Sequence, residues 1–199
     1  MTAILTGDII DSRLVKPQEW LPVLEKSLAL LATDRRAWEV FRGDSFQLEV
    51  PVDQAIKAAL YLKCTVKQVK GIDVRISIGV GEKNYADAKL SQSNGSAFIH
   101  SGEAFDRLKN RTLGFQSDNE AWNEVINLFL DLISTIVDAW TPVSILLIQK
   151  MFENPQLTQL QLAELTRGNQ GNISKALKRG GYEEIQKVLQ YYVKNNPYG

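Results

Sequence analysis

The chain of 199 residues contains little cysteine, little histidine and no excess of either charge. Its one cysteine, Cys64, excludes an internal disulfide, and 23 Lys plus Arg against 23 Asp plus Glu exclude a global positive field that would attract nucleic acid or an anionic membrane. The apolar run 125–137 is interrupted by Asn127 and Asp131 and is too short to span a bilayer. The first residues also lack the basic and then apolar pattern of a secretion signal. We therefore expect a cytoplasmic protein with no membrane partner, in which any DNA binding depends on a local basic patch.

The hydrophobic pattern changes near residue 116. Strand-like and helix-like segments alternate before that point, and every later segment has helical periodicity. This change predicts an α+β protein with a mixed domain at 1–116, a linking or dimerisation helix at 117–140 and an all-α domain at 141–199.

The first domain has the segment order β-α-β-β-α-β, which predicts a ferredoxin-like fold with both helices on one face of an antiparallel sheet. The other face is expected to stay open to a ligand, and Gly79 and Gly81 remove side chains where a ligand could approach the backbone. A polar loop is predicted at 82–93. The six segments are strand 2–10, helix 17–33, a hairpin at 36–50 that contains two strands, helix 53–69 and strand 73–81.

Two acidic residues occupy strand ends. Asp8 ends the first apolar run, and Asp44 lies in the turn of the hairpin, which we interpret as a two-residue Gly-Asp turn. If the two strands are neighbours, both carboxylates converge on one point, and Mg²⁺ needs only one or two carboxylates together with substrate phosphates. Alternatively, Asp8 caps a turn and Asp44 serves the hairpin turn. The presence of both acids favours the metal-nucleotide interpretation.

The segment 119–139 is predicted to form a long amphipathic helix. Its apolar stripe has two possible partners, the rest of its own chain or a second copy of the protein. The stripe consists of Trp122, Val125, Ile126, Phe129, Leu132, Ile133, Ile136 and Val137.

The segments 157–166, 168–171 and 172–179 have the spacing of a helix, a turn and a second helix, as in a helix-turn-helix motif. The second helix is expected to enter the major groove of double-stranded DNA, with Ile173, Ala176 and Leu177 facing inward. The alternative is a helical bundle with a solvated basic face. The predicted DNA-contacting residues are Arg167, Lys175, Lys178 and Arg179 for phosphates, and Asn172, Ser174 and Lys175 for bases.

Four short motifs, at 7–12, 42–46, 75–81 and 95–98, occur in an order that resembles the bacterial SatD-like proteins. In that family the first domain is similar to the palm of class III nucleotide cyclases and diguanylate cyclases, and a helix-turn-helix tail follows. The resemblance implies that Asp8, Asp44 and the carbonyl of Ile9 hold Mg²⁺ or Mn²⁺. It also implies that a nucleoside triphosphate is held by the first turn and the hairpin, at Ile10, Asp11, Ser12, Arg13 and Gly43.

One departure from the cyclases concerns catalysis. They carry an Asn and an Arg four residues apart on the helix after the last glycine motif, and the segment 95–104 has no such pair. Its His100, the only histidine, is interpreted as structural or exposed. Losing a preorganised group at the developing charge costs about a hundredfold in rate.

These features predict a homodimeric DNA-binding regulator that binds a nucleotide with little or no turnover. Dimerisation is expected because helix-turn-helix proteins read two half-sites. An active nucleotidyl cyclase or cyclic oligonucleotide synthase using two-metal chemistry remains an alternative. A second alternative is a helix-turn-helix protein whose first domain is only a dimerisation scaffold.

Overall fold

The computed structural model describes residues 1–84 and 90–198; residues 85–89, within the predicted loop 82–93, and Gly199 lie outside the described residues. Up to residue 81, the first part of the chain has the predicted order of strands and helices. Its elements are β1 (Thr2–Ile10), α1 (Pro17–Leu31), β2 (Trp38–Phe41), β3 (Ser45–Val50), α2 (Ala55–Val66), β4 (Asp73–Gly81), α3 (Ser96–Arg107) and β5 (Leu113–Gln116), with short 3-10 turns at Val52–Gln54 and Leu90–Gln92.

The sheet has the strand order β2-β3-β1-β4-β5. Its first four strands are antiparallel neighbours in the ferredoxin-like arrangement, so the α+β prediction is confirmed. The fifth strand was not predicted and pairs parallel to β4. Its four residues include Gly114, and so short a segment carries almost no alternation to detect. The amide of Asn127 pairs with the free edge of β5, donating to the carbonyl of Phe115 at 2.8 Å and accepting from its N–H at 2.9 Å.

The expectation of an open second sheet face is wrong where β4 lies. There, α3 packs directly on the strand at Gly79 and Gly81. A Cβ atom at Gly79 would lie 2.1 Å from the backbone nitrogen of Ser101, and one at Gly81 would lie 2.4 Å from Oγ of Ser96. A glycine in a strand allows close approach of any backbone, and the sequence could not distinguish a helix from a ligand.

The second part of the chain is helical, as predicted. It consists of α4 (Glu120–Asp138), α5 (Pro142–Glu153), α6 (Gln159–Thr166), α7 (Gln170–Arg179) and α8 (Tyr182–Asn195). Within the described residues, no helix combines the length and the apolarity that a bilayer crossing requires.

One buried apolar cluster extends from the sheet through the helical part. Tyr192 of α8 is fully buried, donates its hydroxyl to the carbonyl of Val52 at 2.9 Å and stacks on Trp122 with ring centroids 6.0 Å apart. Half of the predicted α4 stripe joins this core through Trp122, Ile126, Ile133 and Val137. The helical part therefore packs on the mixed part through shared hydrophobic contacts, although Leu132 of the same stripe remains 57% exposed.

An ion pair joins Lys63 of α2 to Asp73, the first residue of β4. Lys63 is completely buried, and its ammonium lies 2.9 Å from Asp73 and 3.1 Å from the carbonyl of Val74. Lys67 contacts the other oxygen of Asp73 at 2.9 Å. Burial lowers the pKa of Lys63, whereas Asp73 opposes that change. Burial by itself would raise the pKa of Asp73, but the two ammonium groups outweigh it and the pKa is lowered.

We expect Asp73→Ala to destabilise the protein by about 3–5 kcal/mol, because it leaves the buried ammonium of Lys63 without its counter-charge. Lys63→Met should cost clearly less, since Asp73 keeps Lys67 and the cavity receives an apolar chain of similar length. Urea unfolding of both variants provides the comparison. Equal losses in the two variants would contradict an electrostatic role for the pair.

We also expect Gly79→Ala to destabilise the protein by about 1–3 kcal/mol, because the new methyl group overlaps the backbone of α3. Gly102→Ala, a change within α3 itself, is the matched control. A Cβ atom at Gly102 meets nothing within 4 Å, so this change should gain about 0.5–1 kcal/mol of helix stability. Chemical denaturation measures both, and a neutral Gly79→Ala would show that α3 does not press on β4.

Candidate functional site

The predicted helix-turn-helix is formed by α6, a turn at 167–169 and α7. Thr158 and Gln161 cap the start of α6 reciprocally, and Arg167 ends it in the left-handed conformation with φ of 52°. The second helix begins at Gln170, two residues before the predicted start. The reason is that the side chain of Asn169 accepts hydrogen bonds from the N–H groups of Gly171 and Asn172 and so starts the helix earlier.

The second helix of the motif separates its apolar and polar residues as expected. Ile173, Ala176 and Leu177 are buried, and α7 packs against α5 and α6. Ser144 of α5 donates its hydroxyl to the carbonyl of Ala176 at 3.1 Å, and Trp140 donates its indole N–H to that of Gly180 at 2.8 Å. These contacts hold the helix on a rigid support.

All six residues predicted to contact DNA are exposed: Arg167, Asn172, Ser174, Lys175, Lys178 and Arg179. Among the described residues, no carboxylate lies within 4.0 Å of any of the four cations in this set. The exposed surface of α7 and the preceding turn is therefore basic and free of internal ion pairs. Such a surface suits contacts with phosphates.

The two acids lie close to each other, although only Asp44 lies just outside a strand, directly before β3; Asp8 lies inside β1, two residues before its end at Ile10 and not at the strand end as expected. Asp8 of β1 lies opposite Ser45 of β3, and the N–H of Ile9 donates to the carbonyl of Asp44 at 3.2 Å. The adjacency that a shared ligand requires is therefore present. The hairpin connection has three residues, 42–44, and not two as interpreted from the sequence, because Arg42 and Gly43 both take left-handed conformations with φ of 52° and 90°.

The carboxylate of Asp8 is already paired. Asp8 also lies opposite Arg75 of β4, and the guanidinium holds both carboxylate oxygens, at 2.9 Å through Nε and 2.5 Å through Nη2. The guanidinium also lies over the ring of Phe105 of α3, 5.4 Å from its centroid. The hydrogen bond to Asp8 raises the pKa of Arg75, burial opposes it, and the charges of Asp8 and Asp44 raise it further.

The role of Arg75 was missed in the sequence interpretation, which placed this residue only within a strand motif. Asp8 and Arg75 are 67 positions apart, and only the register of β1 against β4 makes them neighbours. The sequence did show an acid in the first strand and a cation in the last predicted one. Such a pair predicts a contact only when the register between the two strands is known.

A surface cleft of about 500 Å³ lies beside the hairpin turn, between the first turn of the chain and β2–β3. Four of the predicted site residues line it, namely Ser12, Arg13, Gly43 and Asp44. The hydroxyl of Ser12 donates to the carboxylate of Asp44 at 2.6 Å and so joins the two walls. The other four residues predicted for the metal and nucleotide site, Asp8, Ile9, Ile10 and Asp11, do not line the cleft.

Two further cations that the sequence interpretation had missed, Lys16 and Arg42, line the same cleft together with Arg13. No carboxylate of the described residues lies within 4.0 Å of the charged group of any of these three cations. These three cations outnumber the one carboxylate that lines the cleft, Asp44, so the lining has a net positive charge although the whole chain has none. This arrangement can attract and hold an anion.

The donor set does not fit a two-metal centre. Within residues 1–84 and 90–198, no three or more His, Cys, Asp or Glu side chains group so that they could hold a metal ion. Both oxygens of Asp8 face a guanidinium, so of the three predicted metal ligands only Asp44 and the carbonyl of Ile9 are not held by a cation. Mg²⁺ held by one carboxylate depends on phosphates for its other ligands. The lining of the site therefore suits an anion better than two metal ions.

The single histidine has structural contacts. Nδ1 of His100 lies 2.7 Å from the carbonyl oxygen of Val80, and Nε2 lies 3.2 Å from Asp118. These contacts link α3 to β4 and to the segment after β5. Both ring nitrogens of His100 therefore have partners within the protein.

Comparison with known proteins adds no family. No protein-family model matches the chain, and a search of curated proteins finds no match. The resemblance to SatD-like proteins stays a prediction.

Proposed function

We propose that this protein is a DNA-binding regulator that inserts α7 into the major groove. The observation that carries the proposal is the exposed, unpaired basic surface of α7, which is supported from behind by Ile173, Ala176 and Leu177. A helix held in this way presents its first turns to base edges. Asn172, Ser174 and Lys175 would read bases, and the phosphates would contact Lys175, Lys178, Arg179 and Arg167.

We infer that the cleft beside the hairpin binds the phosphates of a nucleotide. Arg13, Lys16 and Arg42 supply the positive charge and the hydrogen-bond donors, whereas the hydroxyl of Ser12 is already engaged by Asp44. The Asp8–Arg75 pair favours binding over turnover, because a carboxylate held by a guanidinium cannot also serve as a strong metal ligand. Mg²⁺ or Mn²⁺ would enter only together with the nucleotide, on the side of Asp44.

Two copies of the chain would bind one operator, since helix-turn-helix proteins read two half-sites about one helical turn apart. Leu132, the one exposed residue of the α4 stripe, is available for an apolar contact between two copies and supports this proposal. The DNA-binding experiment below tests this proposal by the number of chains bound to each duplex.

In gel retention with genomic DNA fragments, we expect Lys175→Ala/Lys178→Ala to weaken binding strongly. Each lost phosphate contact should reduce the slope of log affinity against log salt by about 1. The control is Lys26→Ala/Lys187→Ala, which removes two exposed lysines from α1 and α8 and should leave the slope unchanged. Equal slopes in both double variants would refute the major-groove assignment, and one chain per duplex would refute the dimer.

Calorimetry with ATP and GTP, with and without Mg²⁺, tests the cleft. We expect binding that Arg13→Ala/Arg42→Ala weakens by about a hundredfold or more, because charge-assisted hydrogen bonds to phosphate contribute about 1.5–3 kcal/mol each and two are lost. The Lys26→Ala/Lys187→Ala variant should bind as the wild type does. No heat with either nucleotide would leave the first domain as a scaffold only. Pyrophosphate release that disappears in Asp44→Ala would instead establish a cyclase-like enzyme.

A further inference from the structure

Two adjoining cavities lie where the sheet part meets the helical tail. Neither shares a lining residue with the cleft beside the hairpin or with α7. The first, of about 510 Å³, lies between α1, α2 and α5, and Leu30, Val50 and Phe152 form apolar parts of its wall. The second, of about 460 Å³, lies between α2, α5 and α8. Both cavities are lined by Lys57 and Phe152, and we call the pair of cavities the Lys57 groove.

Lys57 is a half-buried cation without a counter-charge. No carboxylate of the described chain lies within 4.0 Å of its ammonium. Glu153 also lines the first cavity, but Lys150 holds it at 2.8 Å and the hydroxyl of Tyr61 donates to it at 2.9 Å. A partly desolvated charge that lacks a partner is costly, and an anion placed beside Lys57 would offset that cost.

The rest of the groove is mainly apolar. Met151, Phe152, Tyr182 and Leu189 line the second cavity, while Lys194 lies at its exposed end. Small-molecule sites combine such apolar walls with a few polar groups that fix orientation. A polyphosphate needs several converging cations, so this groove suits one negative charge attached to an apolar body.

We propose that the Lys57 groove binds a small amphipathic carboxylate, with its carboxylate on the ammonium of Lys57 and its apolar body against Phe152 and the neighbouring side chains. The groove is lined by α2 of the sheet part and by α5 and α8 of the tail, so one ligand contacts both parts of the protein. The ligand and site are separate from the nucleotide cleft and from α7.

Isothermal titration of the full chain with octanoate tests the proposal, with 1-octanol as the neutral ligand of equal chain length. We expect saturable binding of octanoate that is tighter than that of 1-octanol. Lys57→Met should lower octanoate affinity by about tenfold, the contribution of one charge-assisted hydrogen bond. Lys57→Arg should retain most of it. Lys70→Met, an exposed lysine just after α2, is the control and should bind as the wild type does.

Absence of saturable octanoate binding would overturn the proposal. So would equal affinity for octanoate and 1-octanol, which would indicate an apolar surface that does not read charge. Wild-type affinity in Lys57→Met, or equal loss in Lys57→Met and Lys57→Arg, would show that the ammonium is not the anchor. Circular dichroism and thermal unfolding of each variant test whether the fold is retained. Because these variants leave α7 unchanged, a failure of octanoate binding and a failure of DNA binding can be distinguished.

Discussion

The pairing of β1 with both β3 and β4 is the constraint on which the arrangement of the first domain depends. One register sets Asp8 opposite Ser45 on one side and opposite Arg75 on the other. A shift of one residue would turn Asp8 into the core that contains Ile9, so the buried face enforces this register. The same pairing that brings the acids together also supplies the cation that neutralises one of them.

The helical tail is not an independent appendage, because it completes the core of the sheet part. Tyr192 of α8, near the end of the chain, donates a hydrogen bond to the carbonyl of Val52, just before α2, and its ring stacks on Trp122 of α4. Tyr61 of α2 also donates to Glu153 of α5. Packed side chains therefore connect the sheet to the helix-turn-helix. A ligand would couple the two parts only if it favoured one of two arrangements of these contacts.

Local patterns predicted the parts of the structure that depend on neighbours in the chain. The helix-turn-helix was predictable because Thr158, the turn before α7 and the alternation around Ile173 act within a few residues. The order of the first six elements followed in the same way. The boundary error at Gln170 was two residues, because the side chain of Asn169 caps the helix before the position at which it was expected to begin.

Composition and periodicity alone were sufficient for the α+β class, the order of strands and helices up to residue 81, and the two-sided character of α7. Tertiary structure alone decided that Arg75 pairs with Asp8, that α3 covers Gly79 and Gly81, and that Arg13, Lys16 and Arg42 surround one cleft. The physical reason is separation along the chain. Periodicity reports which side of its own element a residue faces, but the partner across a sheet or a cleft is set by strand register and by packing between distant segments.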